Sequence, residues 1–338
     1  MRLFRAPHFK GRLLHINSRR KYNDIMKKFN ALFNQYIFLV VLLSLAAGYA
    51  LPLAPTPLLK NLVIAMFTYM TFCTSLGTSF QEFLRTARNP KMPLYILSVV
   101  HVAIPVVAWL VGMVFFPDDP SIRLGYLIGA AVPVGVTSLV WAYISKGNIP
   151  VSLVTVSIDT ILAPLLLPLF ILVAVGVSIR IDYFSMILDL FFMITVPSII
   201  GMLLHDFTHG KTKAFADGAG GVLTRISIMG LIFLNSAFVS TSIELSLLIL
   251  KILCVTSLIV AIAYFIGYVA GKAVHADRAT TVSIIYCTGM RNVVIGIVIA
   301  TTYFPHETAL PIVLAMLFQQ PFAALTAKIL QRQGSDGK

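Results

Sequence analysis

Charge is scarce in this chain. Of its 338 residues 12% are Asp, Glu, Lys or Arg and 58% are hydrophobic, with a mean hydropathy of +0.89. That balance excludes both a soluble globular domain and a disordered one. Acids are scarcer still, 13 against 26 basic residues. The three cysteines, Cys73, Cys254 and Cys287, lie in apolar runs without paired spacing, so neither a disulfide framework nor a metal site is expected. There is no HExxH, GxSxG or P-loop and no helix with paired carboxylates, which leaves enzymatic hydrolysis without support. Linkers are missing too. The longest polar connection, about residues 205–220, is short, so a single membrane domain is expected over residues 34–331.

What the chain has in abundance is apolar runs. Windows of about 20 apolar residues are long enough to cross a bilayer as helix, and ten occur, near residues 36–53, 58–78, 93–116, 122–145, 149–176, 183–204, 221–241, 245–270, 279–304 and 308–330. Assigning alternate connections to opposite sides gathers 20 of the 26 basic residues on one face, and that face is then cytoplasmic. Both termini fall there. The excess positive charge is therefore topology, and nucleic acid is not an expected partner. Residues 1–33 form a basic arm with no apolar core of its own, which suits a cytoplasmic segment on anionic lipid; an organellar transit segment is the alternative. Residues 332–338 form a short tail. A multi-pass protein of the plasma membrane follows, with the lipid bilayer as a partner.

Two of the runs are interrupted by residues that break a helix. One break is Pro133-Val134-Gly135-Val136-Thr137-Ser138, and the other is Cys287-Thr288-Gly289-Met290-Arg291-Asn292. They fall in the fourth and ninth runs. Ten runs divide into two sets of five, and because five is odd the second set enters the membrane in the opposite sense. That is an inverted repeat, the architecture of secondary transporters with a site at facing breaks. Arg291 is the sharpest signal, because a guanidinium at membrane depth costs at least roughly 2.5–3.5 kcal/mol and persists only toward a polar interior. Exposed helix N-termini at the breaks favour an anion.

Further polar residues stand at depth. Ser152, Val156 and Asp159 share one helical face in the fifth run; Asp159 is either a carboxyl held by neighbouring hydroxyls or a partner for Arg291 and proton carrier. His101, ahead of Pro105, is a packing residue or a proton relay. Gln319 and Gln320, before Pro321, either donate to a substrate carboxylate or bond between helices.

Over about residues 35–330 the chain resembles the bile acid:sodium symporter family. The resemblance is carried by the stretch from Pro133 to Pro168, with Lys146-Gly147-Asn148 and Ala163-Pro164, by Gly77, Phe80 and Phe83 before Pro90, by Pro105 with Trp109, and by Gly289-Met290 with Asn292. It implies an all-α protein of ten spans, a core domain (spans 3, 4, 5, 8, 9 and 10) and a panel domain (1, 2, 6 and 7), spans 4 and 9 crossing at their breaks, and an organic anion moved by alternating access. It also implies two sodium sites, and most of their ligands differ here. Ser138 and Ser152 match. Leu139 stands for an Asn, Val156 for a hydroxyl, Cys287 for a Glu and Arg291 for a Gln, while His101 falls at or beside a further Gln.

The resulting expectation is a transporter of a small organic anion, such as a keto or hydroxy acid, either proton-coupled or uncoupled. Arg291, Asn292, Ser138, Thr137, Gln319 and Gln320 would bind substrate, and Asp159 and His101 would serve coupling. Sodium symport through an altered site of Ser138, Ser152, Thr288 and Met290 is the alternative within transport, and a receptor or scaffold the alternative outside it. No cofactor or resident metal is expected.

Overall fold

The computed structural model describes residues 32–33, 36–81, 84, 88, 90–175, 182–240 and 247–335. The basic arm up to residue 31 and the last three residues of the tail lie outside them. The described residues are helical apart from short connections: α1 (Ile37–Ala50), α2 (Pro57–Ser75), α3 (Lys91–Phe115), α4 (Pro120–Ala131), α5 (Thr137–Ile144), α6 (Ile149–Val175), α7 (Tyr183–Phe207), α8 (Thr212–Asp217), α9 (Ala219–Ser240), α10 (Leu247–Ala273), α11 (Arg278–Gly289), α12 (Val293–Tyr303) and α13 (Ala309–Ser335).

Seven of these, α2, α3, α6, α7, α9, α10 and α13, are long and apolar enough to cross a membrane. The sequence suggests ten runs. The difference has a local cause in each case: α1 has 14 residues, and the fourth and ninth runs are each split in two, as α4/α5 and α11/α12. The outward faces carry large apolar side chains such as Leu58, Val114, Val173 and Phe207, each about three-quarters exposed. Such a surface suits lipid, where apolar groups need no covering.

Helix ends and kinks follow the sequence. Pro57 and Pro120 open helices at positions that need no N–H donor. Asp182 and Asp277 cap α7 and α11 by accepting from Ser185 N (3.0 Å) and Thr280 N (3.2 Å). Five residues of α3, Val99–Ala103, and five of α7, Phe191–Thr195, form π-turns, each followed after one residue by a proline, Pro105 or Pro197.

The contacts form two groups. Helices α1, α2, α7 and α9 pack on one another, and so do α3, α4, α10, α11, α12 and α13. Helix α6 joins α3, α5 and α11 and also meets α7. Between the groups, α12 and α13 meet α9, and α12 meets α2.

Candidate functional site

At the centre of the second group the two breaks cross. Helix α4 ends at Ala131 and α11 at Gly289, and the chain runs extended through Val132 and Met290. Breaking a helix frees backbone groups that hydrocarbon cannot satisfy. Here the two breaks satisfy each other: Val134 and Arg291 form an isolated antiparallel bridge, Gly135 N donates to Met290 O at 3.0 Å, and Asn292 N donates to Pro133 O at 2.7 Å. This approach requires glycine, because a Cβ on Gly135 would lie 2.9 Å from Arg291 O.

The π-turn in α3 supplies the next layer. Ile104 N–H bonds back to Val99 O, and the residue that would serve Val100 O in the same pattern is Pro105, which has no N–H. The Val100 carbonyl is thus left open toward the crossing, and Arg291 Nη2 donates to it at 3.0 Å. One residue on, His101 Nε2 meets Asp159 Oδ1 at 2.6 Å, and its ring stacks on Phe170 with centroids 5.7 Å apart. The other carboxylate oxygen, Oδ2, accepts from Val134 N at 2.7 Å. A single turn of α3 therefore ties one break through Arg291 and the other through His101 and Asp159.

Asp159 does not pair with Arg291. Its partners are His101 and the Val134 amide, and among the described residues its ion pair is with His101 alone. Arg291 is 7% exposed, and its Nε and Nη1 atoms have no hydrogen-bond partner.

Arg291 also lines a cavity of about 450 Å³ between the two helix groups, a volume in the range of small-molecule sites. Of the residues singled out as substrate ligands, Thr137, Arg291, Asn292, Gln319 and Gln320 line it. Gln319 Oε1 accepts from Arg291 N at 3.4 Å and Gln320 Oε1 accepts from Trp141 Nε1 at 2.8 Å, which leaves amide NH₂ groups as donors. The first turns of α5 and α12 also contribute, through Thr137, Val293 and Val294. Two helix N-termini, donor amides and a guanidinium make a wall suited to a carboxylate. Ser138 is different: it is fully buried, outside the cavity lining.

Ser138 and Ser152 sit beside the Cys287 thiol, and the Ser138, Ser152 and Thr288 hydroxyls have no partner. Ser138, Ser152 and Cys287 are positions where the resemblance implies sodium ligands, and Thr288 belongs to the altered site considered as the alternative. Two serine hydroxyls beside a thiol fit an ordered water, which takes two to four polar partners, better than a cation. Sodium would lack a carboxylate, since both Asp159 oxygens are engaged. It would also meet the positive charge of Arg291, which acts on the neighbouring Cys287, and like charges in a buried place repel.

Two participants were not legible as site residues: the Val100 carbonyl, whose only signal is a proline five residues later, and Arg225, an arginine inside an apolar run that lines the same cavity from α9.

The chain matches the model of the "Sodium Bile acid symporter family" over residues 61–248. It is 32% identical over 268 residues to the uncharacterized Bacillus subtilis protein YbaS, covering 79% of this chain and 88% of that one. It is 25% identical over 293 residues to the "uncharacterized sodium-dependent transporter YocS" of the same organism, covering 85% and 88%. It is 22% identical over 291 residues to the "probable sodium/metabolite cotransporter BASS2, chloroplastic" of Oryza sativa subsp. japonica, covering 85% and 66%.

Proposed function

Because the chain belongs to the sodium bile acid symporter family, we propose that it moves a small organic anion by alternating access, with Arg291 providing the positive charge that the resemblance otherwise assigns to bound sodium. It is a multi-pass membrane transporter and not an enzyme. The observation that carries the proposal is Arg291, a residue of the cavity lining whose buried guanidinium is anchored on Val100 O at the crossing.

In this reading α1, the split pairs α4/α5 and α11/α12 and the seven long helices make ten spans in two inverted sets of five. The group of α3, α4, α10, α11, α12 and α13, with α5 and α6, is the core, and α1, α2, α7 and α9 are the panel. The protein lies in the plasma membrane with both termini cytoplasmic. The cavity reaches Asp217, which is exposed in the connection that the basic-residue asymmetry assigns to the cytoplasm, so the conformation described is the inward-facing one.

A carboxylate in the cavity would accept from the Arg291 fork, the Gln319 and Gln320 amides and the first turns of α5 and α12. Rocking the core against the panel would then expose it to the other side. The Val134–Arg291 bridge, the Val100 carbonyl and the His101–Asp159 pair hold the crossing without an external cation. A proton at the His101–Asp159 contact is the available coupling ion, and uncoupled exchange is the other mode.

Proteoliposomes containing the purified chain test this reading. Saturable uptake of a labelled keto or hydroxy acid, absent from protein-free vesicles, is expected. Specific binding with no uptake would assign the chain to the receptor or scaffold class instead.

A further inference from the structure

The cavity carries a second arginine, on the wall opposite the first. Arg225 belongs to α9, one full helix group away from the crossing, and lines the same space of about 450 Å³ as Arg291. Its position is built: Nη1 donates to Gly221 O at 2.9 Å, and the guanidinium lies over the Phe33 ring, 5.9 Å from its centroid. Asp217 is the third charged residue of the lining. It is exposed, whereas Arg225 is half-buried and Arg291 almost wholly buried.

This arrangement decides between substrate classes. A monoanion would satisfy Arg291, whose Nε and Nη1 have no protein partner, and leave Arg225 to Asp217. An exposed carboxylate is a weak competitor, because ion pairs at the solvent boundary contribute only about 0–1 kcal/mol. A ligand bearing two carboxylates could place one on the Arg291 fork and offer the other to Arg225 in exchange for Asp217. Guanidinium groups suit this task, because their planar donor pairs match carboxylates bidentately.

We infer that the substrate is a small dicarboxylate, or a carboxylate with a second anionic group, bridged across the cavity by Arg291 on the core wall and Arg225 on the panel wall. The inference rests on the proposed anion-transport function and narrows it. It also gives the panel a direct part in recognition: the second carboxylate links the two moving groups, so a bridged substrate draws them together and a monoanion does not.

The test is binding to the purified full chain, by titration calorimetry, of two matched pairs, succinate against butyrate and glutarate against valerate. In the wild-type protein at least one dianion is expected to bind about tenfold tighter than its matched monoanion, the gain of one charge-assisted contact. Arg225→Gln should reduce that ratio to within about twofold, weakening the dianion far more than the monoanion. Arg291→Gln should weaken both classes. Asp217→Asn, which removes the competing carboxylate, should tighten the dianion by a few-fold and leave the monoanion alone; it provides an independent reading if Arg225→Gln fails to fold. Equal affinities within each pair in the wild-type chain, or a preference that survives Arg225→Gln, would overturn the dianion assignment and leave the anion-transport proposal standing. Binding of neither class would overturn both.

Discussion

Arg291→Gln should reduce organic-anion uptake by at least about 100-fold in proteoliposomes while the protein remains folded and monodisperse. Among the described residues Arg291 is the cation at the crossing that lines the cavity, and it is 7% exposed. Losing charge-assisted hydrogen bonds of about 1.5–3 kcal/mol each to a carboxylate is enough for a change of this size. The glutamine would also leave Val100 O without its donor, since that carbonyl has neither a π-helical nor an α-helical partner. Arg291→Lys should fall between the two, because it keeps the charge and loses the planar fork. Glutamine is the residue the resemblance expects at this position, but it should not by itself create sodium dependence, because Leu139, Val156 and Cys287 still offer no oxygen side chain. Uptake by Arg291→Gln within twofold of wild type would remove the arginine from recognition.

The second large effect is on stability. Asp159→Ala leaves His101 Nε2 and the Val134 amide without their acceptor in a fully buried place. Removing one member of a buried pair costs about 3–5 kcal/mol, and Val134 belongs to the bridge that joins the breaks. A large fall in the thermal unfolding temperature of the detergent-solubilised protein is expected. Asp159→Asn, which keeps the shape and one acceptor oxygen, should cost less. The pair His101→Phe with Asp159→Asn should cost less than the sum of the two single changes, because the ring nitrogen that needs a partner is removed with it. Additive losses would mean that the 2.6 Å contact contributes little to holding the crossing.

The sequence made much of this legible because hydrocarbon leaves little freedom. Residues that break a helix inside an apolar run, Pro133 with Gly135 and Gly289 with Arg291, must find partners, and they find each other. Arg291 was legible for the same reason: an arginine at depth has to face something polar. Five of the six residues read as substrate ligands line one cavity, and Ser138, in the first turn of α5, is buried outside the lining. The partner of Asp159 was not legible. Packing of span 5 near the break suggested Arg291, whereas the carboxylate meets His101 on α3, a pairing set by a π-turn that hydrophobic periodicity does not encode. Arg225 was not legible because no helix break marks its run; the packing of α9 against α12 and α13 brings it to the cavity. The first run, residues 36–53, overstated its helix, which covers Ile37–Ala50, since apolar residues do not mark the point at which the backbone stops being helical.

The central claim is that this chain holds its crossing with its own cation and needs no sodium to bind or move its substrate. Its most direct test is the initial rate of substrate uptake into proteoliposomes at fixed pH and clamped voltage, with inward sodium replaced isosmotically by potassium. Rates that agree within about twofold across the series are predicted, because neutral side chains near a fixed guanidinium make a poor site for a second positive charge. A steep, saturable rise of the rate with sodium would contradict the account.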